Sequence, residues 1–185
     1  MEDLNKDSSL DRDINRILIV DDSLPNRFLM CKVLEDMFGT DFKILDESRI
    51  YGGVETHVSG RLGSEYYSVA FVEDGYKARR ILVDGEHVRD IDLILLDNNM
   101  PGPLGIDIIV SLKERGLPTK RVALYSDSAC EKLRSRVLDH GALHYPKPKD
   151  PTLDALNQSL SFALGVMVPY FGFVREDYPK REGHA

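Results

Sequence analysis

Short apolar runs that stop abruptly at acidic or polar residues are the feature that most constrains how this chain can fold. The run Ile-Leu-Ile-Val at residues 17–20 stops at Asp21 and Asp22, and the run Leu-Ile-Leu-Leu at residues 93–96 stops at Asp97. Strands that are apolar on both faces are typical of the interior of a parallel sheet covered by helices. These two runs therefore predict buried parallel strands whose carboxyl ends carry acidic side chains.

The rest of the chain alternates in the same way. Three further strands are predicted at residues 68–72, 121–125 and 142–145. A segment with helical spacing of apolar residues follows each of the five strands, and in the last segment the spacing runs in steps of three and four from residue 153 to residue 167. Five strands alternating with five helices predict an α/β fold, in which helices cover both faces of a parallel sheet.

The polar side chains of chemical interest all fall where a predicted strand ends. They are Asp21, Asp22, Asp97, Ser126 and Lys147. In open α/β sheets, ligands bind in the crevice outside the carboxyl ends of the strands. We therefore expect these five side chains to converge on one edge of the sheet.

Three carboxylates in one crevice require positive charge nearby. Each like-charged pair at about 4 Å costs on the order of 4 kcal/mol at an effective dielectric constant near 20. Lys147 offsets part of this repulsion, and a divalent cation offsets more. Oxygen donors favour Mg²⁺, or Mn²⁺ in its place, over Zn²⁺. A carboxylate can also attack phosphorus to form an acyl phosphate, and Lys147 and Ser126 could then stabilise the transferring group.

Four segments in order carry a resemblance to a known family. They are the strand that ends in Asp21 and Asp22, Asp-Asn-Asn-Met-Pro at 97–101, Leu-Tyr-Ser at 124–126 and Tyr-Pro-Lys-Pro at 145–148. Together they resemble the signature of bacterial response regulator receiver domains, across roughly residues 16–164. The resemblance implies a flavodoxin-like (βα)5 fold with a five-stranded parallel sheet. It also implies Mg²⁺ as the cofactor, and a sensor histidine kinase or a histidine phosphotransfer protein as the phosphoryl donor.

The resemblance also implies the metal ligands. Carried over position by position, Asp97 is the phosphoacceptor and contributes to the metal site. Asp22 would bind the metal directly, whereas Asp21 would hold a metal-bound water. Asn99 would offer its backbone carbonyl to the metal.

The remaining roles concern the phosphoryl group and the switch. Ser126 would bind the phosphoryl group and move toward it, and Lys147 would pair with Asp97 or with the phosphate. His144 occupies the position where receivers often carry the aromatic switch residue of the fifth strand. Its identity as histidine, rather than tyrosine or phenylalanine, weakens that assignment.

The function predicted from these residues is a phosphorylation-controlled signalling switch that relays phosphate or changes its affinity for a target protein. It would catalyse only its own phosphorylation and slow dephosphorylation, so we do not expect an enzyme in the ordinary sense. One alternative is a Mg²⁺-dependent phosphohydrolase, but Asn99 lacks the acid–base group such enzymes often place two residues after the nucleophile. A second alternative is a receiver-shaped scaffold that signals without phosphate.

Charge and hydropathy exclude two classes of partner. The net charge is −7 and no basic block is present, so direct binding to nucleic acid is not expected. No apolar run reaches the roughly 18 residues needed to span a bilayer, and no signal-peptide pattern is present. These features predict a cytoplasmic protein without membrane contact.

The predicted organisation has three parts. Residues 1–15 form a polar N-terminal segment, residues 16–167 form the receiver domain, and residues 168–185 form an aromatic tail with no separate output domain. The tail either folds back on the domain or serves as a docking peptide or homodimer seam. An insertion at about residues 40–66 separates the first helix from the second strand. It is either a loop extension or a partner-binding arm, with a hairpin turning at Gly52 and Gly53.

Asp127 follows Ser126, at a position where receivers usually have a small residue. A carboxylate there would lie near the phosphoryl site and repel anionic donors. We therefore predict that Asp127→Ala speeds phosphorylation by a small acyl phosphate, as measured by the rate of phosphoprotein formation. Phosphorylation and dephosphorylation rates that both stay at the wild-type values would refute this role.

Overall fold

The structure, a computed structural model, describes residues 14–45, 56–126, 130–149 and 152–167. The strands within this part of the chain are β1 (Ile14–Val20), β2 (Lys43–Leu45), β3 (Thr56–Leu62), β4 (Glu65–Val72), β5 (Leu93–Asp97), β6 (Val122–Ser126) and β7 (Leu143–Pro146). The α-helices are α1 (Leu24–Phe38), α2 (Gly75–Arg79), α3 (Gly105–Glu114), α4 (Glu131–Asp139) and α5 (Leu153–Phe162). Helices α2 and α5 each continue into a π-helical turn, at Arg80–Asp84 and Ala163–Met167.

The strands form one sheet in the order β2-β3-β4-β1-β5-β6-β7. The five predicted strands, β1 and β4 to β7, are mutually parallel and have the expected flavodoxin-like arrangement. Strands β2 and β3 extend this sheet in the antiparallel direction beyond β4. The first strand begins at Ile14 rather than at residue 17, because residues 14–16 pair with the first half of β4.

Helices cover both faces of the sheet, as the apolar character of the interior strands requires. On one face Leu18, Ile94 and Leu124 pack against α2, α3 and α4. On the other face, Ile19 and Leu95 lie in a second cluster with α1 and α5. No helix among the described residues is long and apolar enough to cross a membrane.

The described part of the insertion is built into the sheet. Residues 56–62 form β3, which pairs along its whole length with β4, and Val58 at its centre is fully buried. This segment is therefore part of the sheet rather than a loop extension. Residues 43–45 pair with residues 57–59 in the antiparallel direction, as a hairpin requires. The predicted turn at Gly52 and Gly53 lies outside the described residues, as do Asp127 and the tail at 168–185.

The last residue of α1 anchors this added strand to the domain. Phe38 is buried, and its ring stacks on Tyr67 of β4 with the ring centroids 6.0 Å apart. The same ring lies directly over Gly60 of β3, where a Cβ atom would be 2.3 Å from the ring atoms Cγ and Cδ2. Gly60 is thus required by the close approach of Phe38, and β3 belongs to the domain core.

We predict that Gly60→Ala lowers the free energy of unfolding by about 1–3 kcal/mol, because the added methyl group overpacks the Phe38 contact. Urea denaturation measures this change. In a Phe38→Leu background, where the space over Gly60 opens, the same substitution should cost much less. An equal cost in both backgrounds would show that Phe38 does not set the requirement for glycine.

Candidate functional site

The acidic turn after β1 is shaped by the first turn of α1. Ser23 is the N-cap of this helix and accepts a hydrogen bond from the Asn26 backbone N–H at 3.3 Å, and proline stands at the start of the helix as its fixed backbone favours. The Ser23 N–H donates to Asp21 Oδ1 at 2.9 Å. The carboxylate of Asp21 is fully buried, whereas Asp22 is exposed. The two neighbouring acids therefore occupy different environments.

Asp97 ends the neighbouring strand, β5, which lies between β1 and β6. The side chain is buried, and its Oδ1 atom accepts a hydrogen bond from the Asn99 N–H at 3.1 Å. Helix α3 begins very close to this residue, because a Cβ atom on Gly105 would lie 2.3 Å from the Asp97 carbonyl oxygen. Only glycine at this position lets the helix start so near to Asp97.

Lys147 joins the two buried acids. Its Nζ atom lies 2.8 Å from Asp21 Oδ2 and 2.6 Å from Asp97 Oδ2. The backbone N–H of Lys147 donates to the carbonyl of Ser126 at 2.9 Å, which continues the pairing of β6 and β7 past the end of the strand. A single ammonium group is thereby fixed between carboxylates from two different strands.

Two buried carboxylates in this site share one ammonium group. Burial raises the pKa of the Asp97 carboxyl, and the hydrogen bond from Lys147 offsets only part of that shift. Burial alone would lower the pKa of Lys147, but attraction to Asp21 and Asp97 outweighs it and leaves the pKa of the ammonium raised. The site therefore keeps Lys147 protonated, while the negative charge on Asp97 remains costly.

The donor set fits a hard divalent cation. Carboxylate oxygens of Asp21, Asp22 and Asp97 all lie within 4.8 Å of one another. These donors are oxygen atoms from buried and exposed carboxylates, which suit Mg²⁺ or Mn²⁺ and leave coordination positions for water and phosphate oxygens. Asp21 and Asp97 also share Lys147, so the cation would add charge to a site that already holds one ammonium group.

The other predicted site residues lie at different distances from Asp97. Asn99 lines a pocket of about 280 Å³ together with Asp97 and Lys147. Ser126 is fully buried at the end of β6, one residue beyond the residue that pairs with Asp97. His144 lies further away, in the middle of the edge strand β7 opposite Leu124, and its Nε2 atom is buried without a hydrogen-bond partner among the described residues.

Three residues near the site were not predicted from the sequence. Asn26 lines the same pocket, and its side-chain amide is 3.5 Å from Asp21 Oδ1. The buried Arg27 donates from Nη1 to the Asp21 carbonyl at 2.5 Å. Tyr125 forms part of the pocket wall beneath Lys147. The first two lie about one helical turn after Asp22, so helical periodicity could have pointed to them, whereas the contact of Tyr125 with Lys147 arises between strands.

One protein-family model matches more than half of the chain. The family model described as the response regulator receiver domain matches residues 46–157. Asp97, Ser126, His144 and Lys147 lie inside this range, whereas β1 and the acidic turn after it precede the range. No curated protein sequence matches the chain.

Several solved structures with a similar fold are receiver domains. The signal receiver domain of a Vibrio parahaemolyticus protein named as a LuxO repressor is 18% identical, with a TM-score of 0.58 over 92% of this chain and 98% of that chain. A CheY-like receiver domain from Methanospirillum hungatei is 16% identical, with a TM-score of 0.54 over 87% and 98%. The Mn²⁺-bound response regulator Rcp1 is 18% identical, with a TM-score of 0.53 over 83% and 94%. At these identities the likeness shows the fold.

The electrostatics of the site predict that Asp97→Asn raises the free energy of unfolding at pH 7 in metal-free buffer. Folding raises the pKa of this carboxyl, so its charged form destabilises the fold above that pKa, and the penalty fades as the pH falls toward about 4. The gain should be on the order of 1 kcal/mol, because Lys147 offsets part of the repulsion.

Denaturation at pH 7 and pH 4 measures this effect. Asp107→Asn on α3 is the matched control, because its half-exposed side chain should give little change at either pH. A destabilised Asp97→Asn protein at pH 7 would show that the ion pair with Lys147 outweighs burial.

Proposed function

This chain belongs to the response regulator receiver domain family, and we propose that its Asp97 accepts a phosphoryl group from a phosphohistidine donor. Receiver domains are phosphorylation-dependent switches of two-component signalling and are not enzymes in the ordinary sense. The observation that carries the proposal is the buried Asp97 carboxylate, 2.6 Å from Lys147, within an edge cluster that also holds Asp21 and Asp22. A sensor histidine kinase or a histidine phosphotransfer protein would supply the phosphoryl group in the cytoplasm.

Asp97 is suited to act as the nucleophile. Its two oxygens are held by different donors, Oδ1 by the Asn99 N–H and Oδ2 by Lys147, so the carboxylate has a fixed orientation. An oxygen of Asp97 forms the new bond to phosphorus while the bond from phosphorus to the donor imidazole nitrogen breaks, and the electron pair stays on that nitrogen. The ammonium group of Lys147 would then move from Asp97 to the negatively charged phosphoryl oxygens, to which Ser126 would donate a hydrogen bond from its hydroxyl.

Asp21, Asp22, Asp97 and the backbone carbonyl of Asn99 would hold Mg²⁺, or Mn²⁺ in its place. When bound, the cation neutralises charge on the phosphoryl oxygens and on the carboxylates. The close oxygen cluster supports this assignment, and so does the similarity of the fold to the Mn²⁺-bound regulator Rcp1. Arg27 and the Ser23 N–H would hold the acidic turn in place during transfer.

Phosphorylation would be read out through the end of the sheet near β6 and β7. Ser126 and Lys147 are joined by a backbone hydrogen bond, so a shift of either residue toward the phosphoryl group acts on both strands. His144 is the proposed switch residue, because its buried Nε2 atom has no partner among the described residues and a small movement can supply one. The result would be altered affinity for a target protein or onward relay of the phosphate.

Phosphoryl transfer in the presence of Mg²⁺ tests the proposal. The wild-type protein should gain the mass of one phosphoryl group from a phosphorylated histidine kinase or a small acyl phosphate, as measured by intact-protein mass spectrometry. Asp97→Asn should gain none, because the amide cannot act as the nucleophile. Asp107→Asn, which removes an acid from the surface of α3, should be phosphorylated like the wild type.

Two results would contradict the proposal. Phosphorylation of Asp97→Asn at the wild-type level would place the acceptor elsewhere. Failure of the folded, Mg²⁺-binding wild type to accept phosphate from any donor would favour the phosphate-independent scaffold.

A further inference from the structure

We propose that Tyr125 is a positioning residue for Lys147, whose ammonium group it holds against the face of its ring. The proposed consequence for phosphoryl transfer rests on the function proposed above, whereas the placement of the lysine does not. Tyr125 immediately precedes Ser126 in β6, and its partner across the strand pair is Asp97 itself. It is therefore the aromatic residue in direct register with the phosphoacceptor.

The ring bounds the space that the lysine can occupy. Lys147 Nζ lies over the Tyr125 ring, 5.4 Å from its centroid. The same atom lies 2.8 Å from Asp21 Oδ2 and 2.6 Å from Asp97 Oδ2. The face of an aromatic ring carries partial negative charge and attracts a cation at this range. The ammonium group thus has three attractive neighbours, and only the ring carries no net charge.

The Tyr125 ring is itself fixed by a stack of aromatic side chains. Its centroid lies 5.7 Å from that of Tyr145 in β7, with an angle of 25° between the planes. Tyr145 lies in turn 5.5 Å from Phe162 of α5, at 19°, and its hydroxyl donates to the Ser159 carbonyl at 3.2 Å. The stack runs from the site to a half-exposed residue on α5, so the ring beneath Lys147 has little freedom to tilt.

A fixed ring matters because the lysine must change partners. Lys147 is a flexible side chain with a compact charge, and it has to leave the Asp97 oxygen that forms the new bond. A neutral ring face keeps the ammonium group near the site without competing as a counter-ion. The Tyr125 side chain is buried and Lys147 Nζ lies over its ring, so the ring face is the part of Tyr125 that contacts the ammonium group.

The placement is tested first in unphosphorylated protein by NMR. Protons above an aromatic ring resonate upfield, so the ε-methylene protons of Lys147 should lie upfield of those of the exposed Lys149. The resonance is assigned by its loss in Lys147→Arg. It should stay upfield in Tyr125→Phe and move toward the Lys149 position in Tyr125→Leu.

The effect on transfer is tested with the same variants and a small acyl phosphate in Mg²⁺. Tyr125→Leu should lower the maximal phosphorylation rate by about three- to tenfold, the range of a partly desolvated cation–π contact, with little change in the donor concentration for half-maximal rate. Tyr125→Phe should restore the wild-type rate. Tyr66→Leu, at the far end of β4 from the site, is the matched control and should leave the rate unchanged.

A wild-type Lys147 resonance at the Lys149 position would overturn the proposal, and this measurement does not depend on whether Tyr125→Leu folds. Equal losses of rate in Tyr125→Phe and Tyr125→Leu would also overturn it, because they would assign the effect to the hydroxyl. An upfield resonance in a wild type that accepts no phosphate would refute the proposed function while leaving the ring contact established.

Discussion

The arrangement of this site depends on one ammonium group shared by two buried carboxylates. Lys147 follows β7 and contacts Asp21 at the end of β1 and Asp97 at the end of β5. The pair of acids would repel each other strongly without it. Asp22 adds a third carboxylate, so the cluster carries an excess of negative charge that a divalent cation would neutralise.

The packing around this edge serves the same constraint. Gly105 lets α3 start against the backbone of Asp97, and Arg27 ties α1 to the backbone of Asp21. Helix α1 has a second task at its other end, where Phe38 covers Gly60 of the added strand β3. The insertion is therefore continuous with the helix that supports the acidic turn. A change in the hairpin is expected to act on the fold as a whole rather than on a detachable arm.

Sequence reasoning predicted the parallel sheet and the convergence of the acids because both follow from simple periodicity. Short apolar runs such as residues 93–96 that stop at an acidic residue favour buried strands, and strand ends of a parallel sheet share one edge. It did not place β3 in the main sheet, because β3 mixes His57, Val58, Ser59 and Gly60 and owes its strand to pairing with β4 rather than to its own composition. Tyr125 was overlooked because its role arises from contacts between strands, which spacing along one strand does not reveal.

The most direct test of the central claim is a crystal structure of the protein with Mn²⁺ and beryllium fluoride, a phosphoryl mimic. We predict anomalous density for Mn²⁺ among Asp21, Asp22, Asp97 and the Asn99 carbonyl, with the beryllium group bonded to Asp97 and Lys147 Nζ contacting its fluorides. Mn²⁺ at a different set of residues, or an unmodified Asp97 still paired with Lys147 at saturating beryllium fluoride, would contradict the account.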